Sequence, residues 1–219
     1  MTSLLPCVEI GPGGDVDGAV VWLHGLGANG HDFEPIVPML ELARVRFVFP
    51  HAPTRPVTIN GGMVMPAWYD IVALARPGGE DVAQVLQSTA QIDALLARET
   101  ERGVPPGRIV LAGFSQGAAL ALHAGTRYRD ALAGILVLSG YEVRAAFREA
   151  EAAPANRATP MLFCHGTYDQ VVPVQGGRLA HRAHATPERE ALWRELPMAH
   201  EVSEDEIGVV RGWLHARLM

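Results

Sequence analysis

Five short apolar stretches, 19–23, 45–49, 109–112, 133–138 and 161–164, constrain this chain more than any other feature. A strand with one face in water alternates apolar and polar residues, and these runs do not alternate. They are expected to be buried on both faces, as strands of a mostly parallel sheet covered by helices above and below. Helical segments are expected between them, over 31–42, 80–102, from the residues after 117 to about Tyr128, over 174–185 and from 203 onward. The clearest is 80–102, where Val82, Val85, Leu86, Thr89, Ile92 and Leu96 recur at helical spacing. Glu80 and Asp81 suit its first turn, Arg98 and Arg102 its last, and Gly103 with Pro105 stops it. Ser203 with Glu206 reads as a capping box opening the final helix. Residues 191–196 read as a last, edge strand, and 143–158 as a short exposed helix or loop. Residues 53–79 carry Pro53, Pro56, Pro66 and Pro77 with little periodicity, and read as a long surface segment. With no repeat and no linker, one α/β domain over 1–219 is expected.

Composition narrows the function. The 219 residues are 48% hydrophobic and 19% charged, enough for a substantial core. A net charge of −6 argues against nucleic acid or an anionic membrane as the main partner. No apolar run reaches the ~20 residues of a membrane span. Residues 1–6 lack a basic start and an apolar core, so no signal peptide is expected. Cys7 and Cys164 have neither metal nor redox spacing, which suits reduced thiols and a cytoplasmic location. All 18 basic residues are arginine. That excludes a Schiff-base lysine, a Ser-Lys dyad and a phosphate-binding lysine.

The chemistry starts at Gly113-Phe114-Ser115-Gln116-Gly117. It follows one apolar run and precedes a helical one, which is the strand–turn–helix setting of a nucleophile elbow. A turn this tight needs glycine on both sides of the serine, where a Cβ would clash. Serine is a weak nucleophile unless a base sits within reach and an acid orients that base. In an open parallel sheet such groups gather at the carboxyl ends of strands. Asp169 follows the run 161–164 in a loop stopped by Pro173; otherwise it would cap the next helix. Of the histidines after Asp169, His181, His184 and His215 fall on expected helices, which leaves His200 in a loop as the base. Gly25-Leu26-Gly27-Ala28-Asn29-Gly30 has the form of a dinucleotide fingerprint. The next strand ends in Pro50-His51-Ala52-Pro53 without the acid that a ribose would need. The stretch reads better as an oxyanion turn, with the N–H groups of Leu26 and Gln116 as donors. His181 and His184 could share a helix face, but no third metal ligand is near them, and a solvated face is the simpler reading. No metal and no cofactor are called for. Met65, Trp68 and Tyr69, with Phe114 beside the serine, are candidate walls of an apolar substrate pocket; the 63–69 stretch could equally serve as a homodimer surface.

At these residues the chain resembles the phospholipase/carboxylesterase family of α/β-hydrolases, which includes acyl-protein thioesterases and small bacterial carboxylesterases. The resemblance runs in order through His24-Gly25-Leu26-Gly27, Pro50-His51-Ala52-Pro53, Trp68-Tyr69-Asp70, the serine pentapeptide, Gly166 with Asp169 and Val172-Pro173, and His200-Glu201. It implies an α/β-hydrolase fold, Ser115, Asp169 and His200 as a triad, and Leu26 and Gln116 as oxyanion donors. It departs at Ala199, where the family usually has glycine. If that position needs positive φ, alanine costs about 1 kcal/mol and shifts the histidine loop. The connection from Leu138 to Met161 is too short for a large cap domain, so the site is expected to be open. The expected function is a serine carboxylesterase for short- to medium-chain esters. Acyl-protein thioesterase or lysophospholipase activity would use the same residues. A non-catalytic binding protein on the same fold is the alternative of another class, and a peptidase would want a gating domain.

Overall fold

The computed structural model describes residues 4–73 and 79–219. The sheet strands are β1 (Cys7–Ile10), β2 (Gly18–Leu23), β3 (Val45–Pro50), β6 (Ile109–Phe114), β7 (Gly134–Leu138), β8 (Met161–Gly166) and β9 (Ala191–Leu196). They form one sheet in the order β1-β3-β2-β6-β7-β8-β9. Every pairing is parallel except the antiparallel β1–β3 edge. The helices are α1 (Val37–Leu40), α2 (Val82–Glu101), α3 (Gln116–Arg127), α4 (Arg148–Glu151), α5 (Val174–His184) and α6 (Glu204–Leu218).

The apolar runs are buried on both faces, as their lack of alternation requires. Val21, Leu23 and Leu111 pack with Ile92, Leu96 and Leu120 from α2 and α3 on one face. Trp22, Val110, Leu136 and Leu162 pack with Leu40, Val210 and Leu214 from α1 and α6 on the other. Neighbouring residues of one strand thus feed opposite cores.

Four expectations are corrected. The helix expected over 31–42 is a 3₁₀ turn at Glu34–Ile36 followed by the single-turn α1; Pro38 breaks continuity between the two, and Glu41, at φ 53°, ends α1. The irregular segment at 53–79 contains an antiparallel hairpin of β4 (Thr54–Val57) and β5 (Met63–Pro66). Its prolines fit because a two-stranded ribbon has only edges. Exposed Met63 and Val64, 64% and 66% accessible, stand near its turn. Residues 74–78 of that segment, Pro77 included, lie outside the described residues. Of the stripe expected on α2, Val85, Thr89, Ile92 and Leu96 are buried but Val82 and Leu86 are exposed, and Ser88, Leu95 and Glu99 also face inward. Glu99 tolerates burial because Arg46, Arg98 and Arg102 all donate to it. His184 is buried rather than solvated, and its Nε2 bonds Glu142.

The capping box at α6 is half made. The Ser203 hydroxyl accepts from the Glu206 N–H at 3.2 Å. The Glu206 carboxyl, however, is fully buried and has no hydrogen-bond partner among the described residues. Desolvation raises its pKa from 4.5 to about 8. The folded chain therefore keeps a proton that the unfolded chain releases above pH 4.5, and stability falls as pH rises from there to about 8. Glu206→Gln is expected to raise the melting temperature at pH 8.5, by the equivalent of a few kcal/mol at most, and to leave it nearly unchanged at pH 4.5. Thermal melts at the two pH values check this.

Candidate active site

β6 turns into α3 at Ser115, whose backbone is held at φ 55°, ψ −119°. Positive φ at a non-glycine residue is strained and persists only where the surroundings enforce it. Here two glycines make the turn possible. A Cβ on Gly113 would lie 2.3 Å from the Gly117 carbonyl oxygen, and one on Gly117 would lie 2.4 Å from that of Leu23. Because residue 117 has no side chain, the start of α3 presses directly on the end of β2, and the Gly25-Leu26 turn that follows β2 reaches the serine. A Cβ on Gly25 would be 3.5 Å from that of Ser115.

His200 arrives from the other side. Its Nε2 is 2.9 Å from Ser115 Oγ and its Nδ1 is 2.7 Å from Asp169 Oδ2. With the carboxylate on Nδ1–H, the lone pair of Nε2 faces the serine hydroxyl. The other Asp169 oxygen accepts from the N–H groups of Val171 and Val172 at 2.9 and 2.8 Å, so both oxygens have fixed roles. Gly166 lets the two loops meet. A Cβ there would lie 2.3 Å from the Ala199 carbonyl and 2.4 Å from that of Met198. The Thr167 and Tyr168 N–H groups donate to Leu196 and Met198 across the same seam. The Phe114 ring packs on His200 at 4.8 Å between centroids.

The Gln116 N–H opens α3 and has no acceptor within the helix. The Leu26 N–H donates to no backbone carbonyl among the described residues. Both residues line the cleft above Ser115. Two residues without an assigned role hold this half of the site. His24 donates from Nδ1 to the Gly25 carbonyl at 2.7 Å and accepts the Ala52 N–H on Nε2. Burial depresses its pKa, which keeps Nε2 free to accept. His51 Nδ1 accepts the Gly30 N–H at 3.1 Å. Both histidines fall in motifs that carry the family resemblance and directly after a strand, but a hydrogen bond inward to backbone leaves no periodic signal that would reveal their role.

The expected pocket wall is partly corrected. Phe114 lines the cleft. Trp68 and Tyr69 do not: both are 0% exposed and belong to the core on the α2–α3 face. Trp68 donates from Nε1 to the His24 carbonyl and from its backbone to the Gln116 side chain, which in turn donates to the Tyr69 carbonyl. They brace the Gly25-Leu26 turn and the first residue of α3 from behind. Met65 accepts a hydrogen bond from Asn60 and sits against Gly27, so it supports the hairpin rather than the cleft surface. The apolar walls are Leu26, Ile59, Ile71, Val171 and Val172, with Tyr141 between them. The cleft measures about 350 Å³.

The family model for phospholipase/carboxylesterase matches residues 7–218. The chain belongs to this family of α/β-hydrolases. Acyl-protein thioesterase 1 of Yarrowia lipolytica is 34% identical over 221 residues, covering 97% of each chain. Acyl-protein thioesterase 2 of Zea mays superposes with a TM-score of 0.86 at 29% identity, over 98% of this chain and 99% of that one. Esterase PE8 does so with 0.82 at 27%, over 99% and 100%. The protein is an ester or thioester hydrolase on an α/β-hydrolase fold, with no large cap domain among its described residues.

Ala199, the departure from the family pattern, carries no strain. Among the described residues, the non-glycine residues of positive φ are Glu41, Ser115, Ser139 and Arg144, and Ala199 is not one of them. Its side chain is exposed. Ala199→Gly is therefore expected to change kcat less than about twofold. Gly166→Ala must push the two loops apart and is expected to lower it by about 10²-fold. Steady-state kinetics of the two variants give the comparison.

Proposed function

We propose that the protein is a serine carboxylesterase acting on short- to medium-chain esters through an acyl-enzyme on Ser115. The observation that carries this is the unbroken relay from Ser115 Oγ through His200 to Asp169, at 2.9 and 2.7 Å, beneath an open and largely apolar cleft. Ser115 Oγ attacks the acyl carbon while its proton passes to His200 Nε2. Asp169 holds the tautomer and stabilises the imidazolium. The N–H groups of Leu26 and Gln116 take the negative charge that develops on the carbonyl oxygen, at the positive end of α3. The C–O bond to the leaving alcohol breaks as His200 returns the proton. Water, deprotonated by His200, then attacks the acyl-enzyme, and Ser115 leaves with the proton.

The cleft lies at the small end of ligand pockets, which favours short and medium acyl chains. Asp32 is the one acid or arginine among its described lining residues, so neutral esters should be preferred over anionic ones. A second reading, an acyl-protein thioesterase, is favoured by the names of the relatives, and the same relay would expel a thiolate.

Ser115→Ala is expected to lose at least about 10³-fold in kcat/KM on aryl esters. A fluorophosphonate should label Ser115 alone. With wild type, kcat/KM should rise roughly fourfold for each added acyl methylene until the cleft is filled, then level off. Undiminished turnover by Ser115→Ala, or a label elsewhere, would overturn the assignment. A matched panel of esters and thioesters separates the two readings.

A further inference from the structure

His165 is the next-to-last residue of β8 and is buried to 1% exposure, four residues before Asp169. Its Nε2 lies 2.9 Å from the Val172 carbonyl oxygen, so Nε2 carries the proton and donates. Val172 in turn donates its own N–H to Asp169 Oδ1 at 2.8 Å. The same Nε2 lies 3.5 Å from Asp169 Oδ2, the oxygen that holds His200. His165, Val172 and Asp169 thus close a ring of contacts behind the carboxylate.

The imidazole has little freedom to leave this ring. Trp193 stacks beside it at 6.1 Å between centroids, with 27° between the planes. On another side Gly177 approaches so closely that a Cβ there would lie 2.3 Å from His165 Nδ1. A glycine in the middle of a helix costs roughly 1 kcal/mol relative to alanine, and here it makes room for the ring. Burial lowers the pKa of His165 and keeps it neutral. A neutral donor can orient the carboxylate without supplying a second cation that would compete with the His200 imidazolium for its charge.

We propose that His165 is a positioning residue: by tying the Val172 carbonyl it holds the 169–172 turn, and through that turn it aims Asp169 Oδ2 at His200. This rests on the reading of Ser115, His200 and Asp169 as the catalytic relay. His165 touches no reacting atom. Its contribution is therefore expected in kcat and in the state of the His200–Asp169 hydrogen bond, with little change in substrate binding.

The test compares wild type, His165→Phe and His165→Gln on a short-chain aryl ester. Phenylalanine fills the space without a donor, and glutamine places its amide nitrogen where Nε2 sits. His165→Phe is expected to lower kcat about ten- to hundredfold with KM within about twofold. It should also shift or broaden the downfield proton resonance of His200 Nδ1–H. His165→Gln should recover most of kcat and the resonance. If His165→Phe does not fold by circular dichroism, His165→Asn, whose amide is too short to reach Val172, replaces it. A folded donor-less variant with wild-type kcat and an unchanged resonance overturns the proposal. So does a folded His165→Gln as slow as the donor-less enzyme. Ser115→Ala is the control: turnover retained there strikes the relay itself, whereas turnover lost there but kept in His165→Phe strikes only the role of His165.

Discussion

The site depends on the approach of the first turn of α3 to the carboxyl end of β2. Where a Cβ on Gly117 would meet the Leu23 carbonyl at 2.4 Å, backbone lies against backbone with no side chain between. That approach bends the chain through positive φ at Ser115 and brings the Gly25-Leu26 turn beside the serine. It also sets the orphan N–H groups of a helix start facing a cleft. The strain at Ser115 is local, and the two apolar cores of the sheet hold it in place.

Gly166 repeats the device at the other end of the relay. There the 166–169 loop lies against the 197–200 loop, so acid and base are fixed relative to each other by main chain. The sheet provides the distance between the two seams: β6 and β8 are separated only by β7. His24 is kept uncharged by burial, and Asp169 is met by two backbone donors and one imidazole. Under the proposed mechanism, the carboxylate's charge is thus left for the His200 imidazolium that would form during turnover.

The parallel strands were legible because residues buried on both faces leave no alternation to confuse with anything else. Ser115 was legible from its strand–turn–helix setting, and Asp169 and His200 because each follows a strand end in a loop rather than on a helix. Other features were hidden for physical reasons. β1, half exposed and only four residues long, has neither a run nor a clear alternation. The inward position of Glu99 on α2 was hidden because a glutamate reads as a solvent residue until three arginines from separate positions are known to surround it. Trp68 and Tyr69 share the composition of a pocket wall and of a core, and only their complete burial assigns them to the core. The bracing histidines act on backbone groups, which a sequence does not display.

The hairpin of β4 and β5 is anchored at its base, tied at the start of its turn by Thr58 and Ile59 to Asp70 and Ile71, and exposed at Met63 and Val64. Its base runs into Trp68 and Tyr69, locked to Gln116 and His24, whereas Met63 and Val64 near its turn stand in solvent. Substitutions at the exposed Met63 and Val64 touch none of the hydrogen bonds that hold Trp68 and Tyr69. The fold therefore separates a part that can diverge from a part that cannot: selection could remodel the rim above the cleft, and with it the molecules admitted, over a relay that stays the same.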